Sequence, residues 1–201
     1  NNYGVFENCT SLKGIVIPDS VTSIGNDTFR GCSSLTSVTI PEGVTSLEYE
    51  TFYNCTSLKS IAIPDSVTSI GGYAFFGCSD LTNVSIGDGV TSIGSYAFSG
   101  CSDLTNVSIG DGVTSIGSYA FRDCSNLTSI TIPEGVTSLE YQTFYNCTSL
   151  ESVTLPESLL SIADRYNNHG VFENCTSLKS IVIPDSVTSI GNSTFSDCSG
   201  L

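Results

Sequence analysis

The chain has 201 residues, six basic against twenty acidic side chains, and a formal net charge of −14. That excess of carboxylates argues against a nucleic acid or an anionic membrane surface as partner. No apolar run approaches the roughly 18 residues that a membrane-spanning helix needs.

Cysteine sets the organisation. It recurs at Cys9, Cys32, Cys55, Cys78, Cys101, Cys124, Cys147, Cys175 and Cys198, and every interval is 23 residues except Cys147 to Cys175, which is 28. A fixed period of this size is the signature of a solenoid whose coils pack only on their neighbours. The unit Leu81–Asp103 gives the order of elements, with slots counted from its leucine. Val84 and Ile86, at slots 4 and 6, alternate with small polar residues and predict a half-buried strand. Gly87-Asp88-Gly89 predicts a turn. Other units have Pro-Glu-Gly or Pro-Asp-Ser here, expected to place proline at the second and a polar residue at the third position of a tight turn. Val90 to Ile93 predicts a second short extended stretch. Ala97, Phe98 and Cys101 are spaced so that one face of a one- or two-turn helix points inward. The expected fold is an α/β repeat solenoid, β-rich, with two short strands and a short helical turn per coil. Residues 1–201 are read as one domain of about eight to nine coils, with an irregular unit at 148–175. The first nine residues reappear at 167–175 with one change, so the chain reads as a piece of a longer array, its ends without polar caps.

The pattern Leu-x-x-Val-x-Ile-Pro-x-x-Val-x-x-Ile-Gly-x-x-Ala-Phe-x-x-Cys resembles the 23-residue BspA-like class of leucine-rich repeats over essentially the whole chain. The resemblance implies a leucine-rich-repeat superhelix and a non-enzymatic role at a bacterial or protist cell surface, binding other proteins or host matrix. At slot 9 the asparagine or cysteine usual in leucine-rich repeats is replaced by Gly43, Ser66 or Gly89, so the customary asparagine ladder is not expected.

Nine cysteines in a secreted chain would suggest disulfides. Residues at one slot point the same way in stacked coils, however, so buried free thiols are the expectation. Zinc is not expected, since there is no Cys-x-x-Cys pair and His169 is the only histidine. Catalysis finds no nucleophile–base arrangement, and no cofactor is expected. Slot 8 carries a carboxylate in every full unit, from Asp19, Glu42, Asp65, Asp88 and Asp111 to Glu134, Glu157 and Asp185. Turn chemistry accounts for that column, with a rail for calcium or a basic partner as the alternative. Nine Asn-x-Ser/Thr sequons occur, and five of them flank the cysteine turn, where local backbone bonding explains them.

Candidate contacts lie with the aromatic residues. Tyr73, Tyr96 and Tyr119 are expected to cover the helical side of the solenoid. Tyr53, Phe76 and Tyr145 share slot 19 with Arg30, Arg122 and Ser99, so that slot is expected to be exposed. Tyr49 and Tyr141 lie beside them. The five-residue insertion between Ile162 and Phe172 must loop out, and it brings Arg165, Tyr166 and His169 one coil beyond Tyr141 and Tyr145. Tyrosine and arginine are frequent interface anchors. Three functions follow: a protein-binding or adhesion module of a surface or secreted protein, with a protein or host-matrix ligand; a structural spacer; and, more remotely, a surface of regular threonine and serine that orders ice or mineral. A monomer without membrane insertion is expected.

Overall fold

The computed structural model describes residues 4–162 and 169–201. In chain order its strands are β1 Gly14–Ile15, β2 Ser37–Val38, β3 Ser46–Leu47, β4 Ser60–Ile63 and β5 Ser69–Ile70. They continue as β6 Asn83–Ile86, β7 Ser92–Ile93, β8 Asn106–Ser108, β9 Ser115–Ile116 and β10 Ser129–Thr131. The last are β11 Ser138–Leu139, β12 Ser152–Thr154, β13 Ser161–Ile162 and β14 Ser189–Ile190.

All pair in parallel, one coil to the next. β1–β2, β4–β6–β8 and β10–β12 form the first ladder; β3–β5–β7–β9 and β11–β13–β14 form the second. Register is kept residue for residue, with Val84 opposite Val107 and Ile93 opposite Ile116. It survives the long unit, where Ile162 faces Ile190 and the Phe144 and Phe172 rings stack at 5.4 Å. The inserted residues Arg165 and Tyr166 lie outside the described residues.

The strands of the first ladder all stop by slot 6, just before the turn. In most coils slot 7 is proline, which has no N–H to pass across the ladder. Gly87 replaces it in one coil and donates its N–H to the Ile63 carbonyl at 2.9 Å. The turn begins one residue later than expected. Val44 donates its N–H to the Pro41 carbonyl at 3.0 Å, and Val67 donates to Pro64 at 3.1 Å, so proline is the first and the carboxylate the second residue of the turn.

No helix occurs among the described residues. The stretch expected to hold a helical turn is a run of tight turns that forms a third ladder. The N–H groups of Tyr96, Phe98 and Gly100 leave the coil for the carbonyls of Ser118, Ala120 and Arg122, at 3.0, 2.8 and 2.8 Å. Those of Ala97, Ser99 and Cys101 turn back three residues, to Gly94, Tyr96 and Phe98. A helix would spend every donor within the coil; alternation gives every second one to the next coil. The alternation needs left-handed backbone twice per coil, at Tyr96 (φ 59°) and Gly100 (φ 76°). At the glycine's slot other coils use Asn54, Asn146 and Asn174, residues that tolerate this conformation. At the tyrosine's slot Tyr73 and Tyr119 adopt it too, at a cost of roughly 1–2 kcal/mol each, which stacking must offset.

Inside, like packs on like. Nine phenylalanines from Phe6 to Phe195 form an unbroken stack with centroids 5.1–5.6 Å apart. The cysteines run beside them as free thiols, all buried except Cys9. Each buried Sγ donates to the carbonyl of the phenylalanine one coil back, as Cys101 does to Phe75 and Cys124 to Phe98, both at 3.2 Å. Cysteine is therefore more than a small apolar residue here, since it joins adjacent coils through the same carbonyl that closes the Phe-x-x-Cys turn. Burial pushes the thiols of Cys78 and Cys124 well above their usual range, so they stay protonated donors.

Candidate binding surface

The third ladder throws its longer side chains outward onto one ridge. At its centre Tyr73, Tyr96 and Tyr119 stack with centroids 4.6 and 4.2 Å apart. The rings lie nearly parallel because consecutive coils repeat the same left-handed backbone, which aims each side chain alike. Tyr49 closes one end edge-on at 5.6 Å from Tyr73, and Tyr141 closes the other at 5.0 Å from Tyr119. Slot 19 forms a second row beside the first. Arg30 lies 4.4 Å above Tyr53, Tyr53 stacks on Phe76 at 5.0 Å, and Phe76 leans on Tyr73 at 5.6 Å. Further along, Arg122 sits over Tyr145 at 4.9 Å and near Tyr119 at 5.7 Å.

The arrangement is nearly symmetric because one motif occurs twice. Phe29–Cys55 and Phe121–Cys147 each carry Phe-Arg-x-Cys followed by Leu-Glu-Tyr-x-Thr-Phe-Tyr-Asn-Cys, four coils apart. Each arginine is held at its edge as well as its face. Arg30 forms an ion pair with Glu50 and reaches Asp27 at 3.4 Å. Arg122 reaches Asp123 at 3.2 Å and donates to Gln142 Oε1 at 3.1 Å. These contacts leave both guanidinium groups fixed in the ridge. Partial burial, then the hydrogen bond with Tyr119, pushes the Tyr96 hydroxyl up to about 12. Tyr96 therefore keeps a neutral phenol throughout the physiological range.

Six of the eight sequence-predicted contact residues are brought to this ridge. Tyr49 is exposed at 47 %, while Tyr53, Phe76, Tyr141 and Tyr145 are half-buried. His169 is exposed, meets Tyr145 edge-on at 5.8 Å, and shares a 2.9 Å hydrogen bond with Glu173. Arg165 and Tyr166 fall outside the described residues. The expectation that slot 19 stands open needs correction. Its aromatic rings are covered on their faces by neighbouring rungs, and Ser99 is buried with 2 % of its surface accessible. Tyr73, Tyr96 and Tyr119, expected merely to cover the solenoid, form the middle of the ridge. Their shared slot and unbroken succession were the available sequence signals.

Other surfaces are occupied with holding the coils together. Thr68, Thr91 and Thr114 donate their hydroxyls to the carbonyl of the threonine one coil back, at 3.0, 3.0 and 3.2 Å. Ser66 and Ser158, at the slot usual for asparagine, donate to Val44 and Val136, both at 2.9 Å. Asp65 accepts the Asp88 N–H at 2.8 Å, and Asp88 accepts the Asp111 N–H at 3.0 Å, which gives that carboxylate column a backbone role. Among sequon residues, Asn174 donates its amide to Asn146 and Asn146 to Asp123, at 2.5 and 2.8 Å. No group of three or more metal-ligating side chains comes together among the described residues. Among the described residues there is no helix long and apolar enough to cross a membrane.

Three solved structures from bacteria are similar. A leucine-rich repeat protein from Bacteroides ovatus is 28 % identical with a TM-score of 0.76, matching 100 % of this chain and 68 % of its own. A leucine rich cell surface protein from Faecalibacterium prausnitzii is 38 % identical with a TM-score of 0.71, covering 94 % of this chain. This chain spans 46 % of that protein's length. The T. pallidum leucine-rich repeat protein is 28 % identical with a TM-score of 0.72, over 94 % of this chain and 78 % of its own. No protein with a curated description matches. A model of the BspA type leucine-rich repeat region matches residues 2–124 and 73–201, in six copies. With repeat, register and core columns all in agreement, the chain belongs to the BspA type leucine-rich repeat family.

Proposed function

We propose that this chain is a non-enzymatic protein-binding module of a bacterial surface or secreted protein, and that its aromatic ridge makes the contact. The observation that carries the reading is the concentration of aromatic side chains outside the core on one side of the solenoid. Seven tyrosines and Phe76 run from Tyr49 to Tyr145, with two arginines already fixed among them. Tyrosine, phenylalanine and arginine dominate interface hot spots because they bury much area for few frozen rotors. Here stacking has frozen them in advance, which lowers the entropy cost of binding. The similar Faecalibacterium prausnitzii structure is described as a cell surface protein, in keeping with this reading.

The test is solid-phase binding to a panel of immobilised extracellular-matrix proteins. Tyr49→Ser with Tyr141→Ser is compared with Ser85→Lys with Ser108→Lys on the exposed face of the first ladder. Loss with the first pair and retention with the second supports the reading. The opposite pattern assigns contact to the strand face and refutes it.

One observation favours a spacer instead. Gly77–Ile93 and Gly100–Ile116 are identical, as expected of coils selected for stacking alone. A chain that binds none of the panel, with its fold intact, supports that second reading.

A further inference from the structure

The two Leu-Glu-Tyr motifs set a second pattern on the ridge. Glu48-Tyr49 and Glu140-Tyr141 occupy slots 14 and 15 of coils four apart. In the three coils between them the same slots hold only Gly71-Gly72, Gly94-Ser95 and Gly117-Ser118. Glycine is needed at the first of these slots, since a methyl group at Gly71, Gly94 or Gly117 would come within 2.6 Å of the preceding coil's backbone. The result is a low strip of backbone beside the Tyr73, Tyr96 and Tyr119 stack, with a Glu-Tyr pair at each end. Tyr49 leans over one end of it, and its Cδ2 lies 3.6 Å from the place of a Gly72 Cβ.

The two carboxylates are held alike. Glu48 Oε1 accepts the Ser46 hydroxyl at 2.6 Å, and Glu140 Oε1 accepts that of Ser138 at 2.9 Å. Glu48 is exposed and Glu140 half-buried, and neither forms an ion pair among the described residues. The cations of the ridge are engaged elsewhere, Arg30 with Glu50 and Asp27, Arg122 with Asp123, and His169 with Glu173. An aromatic strip with an unpaired carboxylate at each end, on a chain of net charge −14, is complementary to a partner with two cations.

The spacing gives the form of that partner. Four coils at about 4.8 Å put the two Glu-Tyr pairs about 19 Å apart. The strip is two residues wide, roughly 7 Å, too narrow to seat a helix about 10 Å across. An extended strand rises about 3.3 Å per residue and polyproline II about 3.1 Å, so six residues cover the span in either form. Six is a multiple of both two and three, so the first and last of these positions face the same side in both. We propose that the ridge takes an extended segment of a partner protein with lysine or arginine at positions i and i+6. The two basic groups meet Glu48 and Glu140, and small or apolar side chains between them pack along Tyr73, Tyr96 and Tyr119. This rests on the ridge being the contact surface and adds the chemistry of what it contacts.

Fluorescence anisotropy of the whole chain with an end-capped, dye-labelled Lys-Ala-Val-Ala-Val-Ala-Lys peptide tests this. Binding saturates. Replacing either lysine with alanine, or shortening the spacing to i+3, weakens it about fivefold. Glu48→Gln and Glu140→Gln each weaken it by about the same factor, and the doubly substituted chain no longer distinguishes the two spacings. Glu134→Gln with Glu157→Gln makes the same charge change at exposed turn residues away from the ridge and leaves binding unchanged. No saturable binding, equal binding of the two spacings by the wild type, or an equal loss with the Glu134 and Glu157 pair overturns the proposal. The matrix-protein assay separates this from the ridge reading. A matrix protein lost with Tyr49→Ser and Tyr141→Ser but retained with Glu48→Gln and Glu140→Gln overturns the basic segment and leaves the ridge as the contact. One that ignores the tyrosine pair overturns the ridge reading itself.

Discussion

Phe98 is the middle rung of the phenylalanine stack, and its truncation tests the stacking most sharply. Its ring is fully buried, with Phe75 at 5.1 Å on one side and Phe121 at 5.4 Å on the other. Neither neighbour can collapse into the gap without pulling its own coil out of register with three ladders of hydrogen bonds. Phe98→Ala should therefore cost about 3–5 kcal/mol, the usual range for buried aromatic residues. With a urea slope of about 3 kcal/mol/M, a loss of about 4 kcal/mol lowers the midpoint by about 1.3 M. Phe195 supplies the comparison. It is half-buried in the last coil and touches a single ring, that of Phe172 at 5.6 Å. Its truncation should cost less than half as much. Tyr96→Ala should also cost less than Phe98→Ala, since the ring is partly solvated and the backbone stays left-handed in either case. Urea denaturation followed by circular dichroism decides. Equal losses at Phe98 and Phe195, or a loss below about 1 kcal/mol at Phe98, would refute the reasoning.

Thiol titration of the native 201-residue chain should find one reactive cysteine, Cys9, and nine after denaturation without reductant; fewer than nine would mean disulfides. The buried thiols also set a pH dependence. Their folded-state pKa values are raised above the ordinary 9.0, so their contribution is fully present below that value and is lost as pH rises past it. Stability should be level to about pH 8.5 and then fall by up to about 1.4 kcal/mol per unit for each thiol, whereas a level profile to pH 11 would contradict their burial. Gly100→Ala should cost about 1 kcal/mol through its positive φ, while Gly100→Asn should cost little, because asparagine fills that slot at Asn54, Asn146 and Asn174. Thermal melts with calcium and with a chelator should coincide, since Asp65 and Asp88 accept backbone N–H groups; a saturable rise in midpoint would make that column a metal site.

The solenoid was legible because its signal is redundant. The Leu, Val, Ile, Phe and Cys columns repeat at one period, and parallel stacking is the arrangement that buries them all. The helical turn was misread because Phe-x-x-Cys spacing fits a helix and a chain of three-residue turns equally well. What distinguishes them is positive φ at Tyr73, Tyr96 and Tyr119, a conformation that tyrosine does not announce. The choice of cysteine at its slot was legible as burial only. The Sγ–H bond to a carbonyl one coil back depends on how neighbouring coils meet, which a single unit's sequence does not encode. The candidate residues fared similarly. Tyr49, Tyr53, Phe76, Tyr141 and Tyr145 were picked as aromatic residues outside the core column, but slot counting did not reveal that Tyr73, Tyr96 and Tyr119 bind them into one ridge.

Hydroxyl-radical footprinting of the chain, free and bound to an immobilised matrix protein that retains it, tests the binding account most directly. Tyrosine and phenylalanine are reactive reporters, and half-exposed rings such as Tyr53, Phe76 and Tyr145 lose accessibility only if a partner covers the ridge. The account predicts protection at Tyr49, Tyr53, Phe76, Tyr141 and Tyr145, with no change at Val16 or Val182, both highly exposed at slot 5 of their coils. Protection at Val16 and Val182 with the tyrosines unchanged would contradict it and move the contact to the strand face.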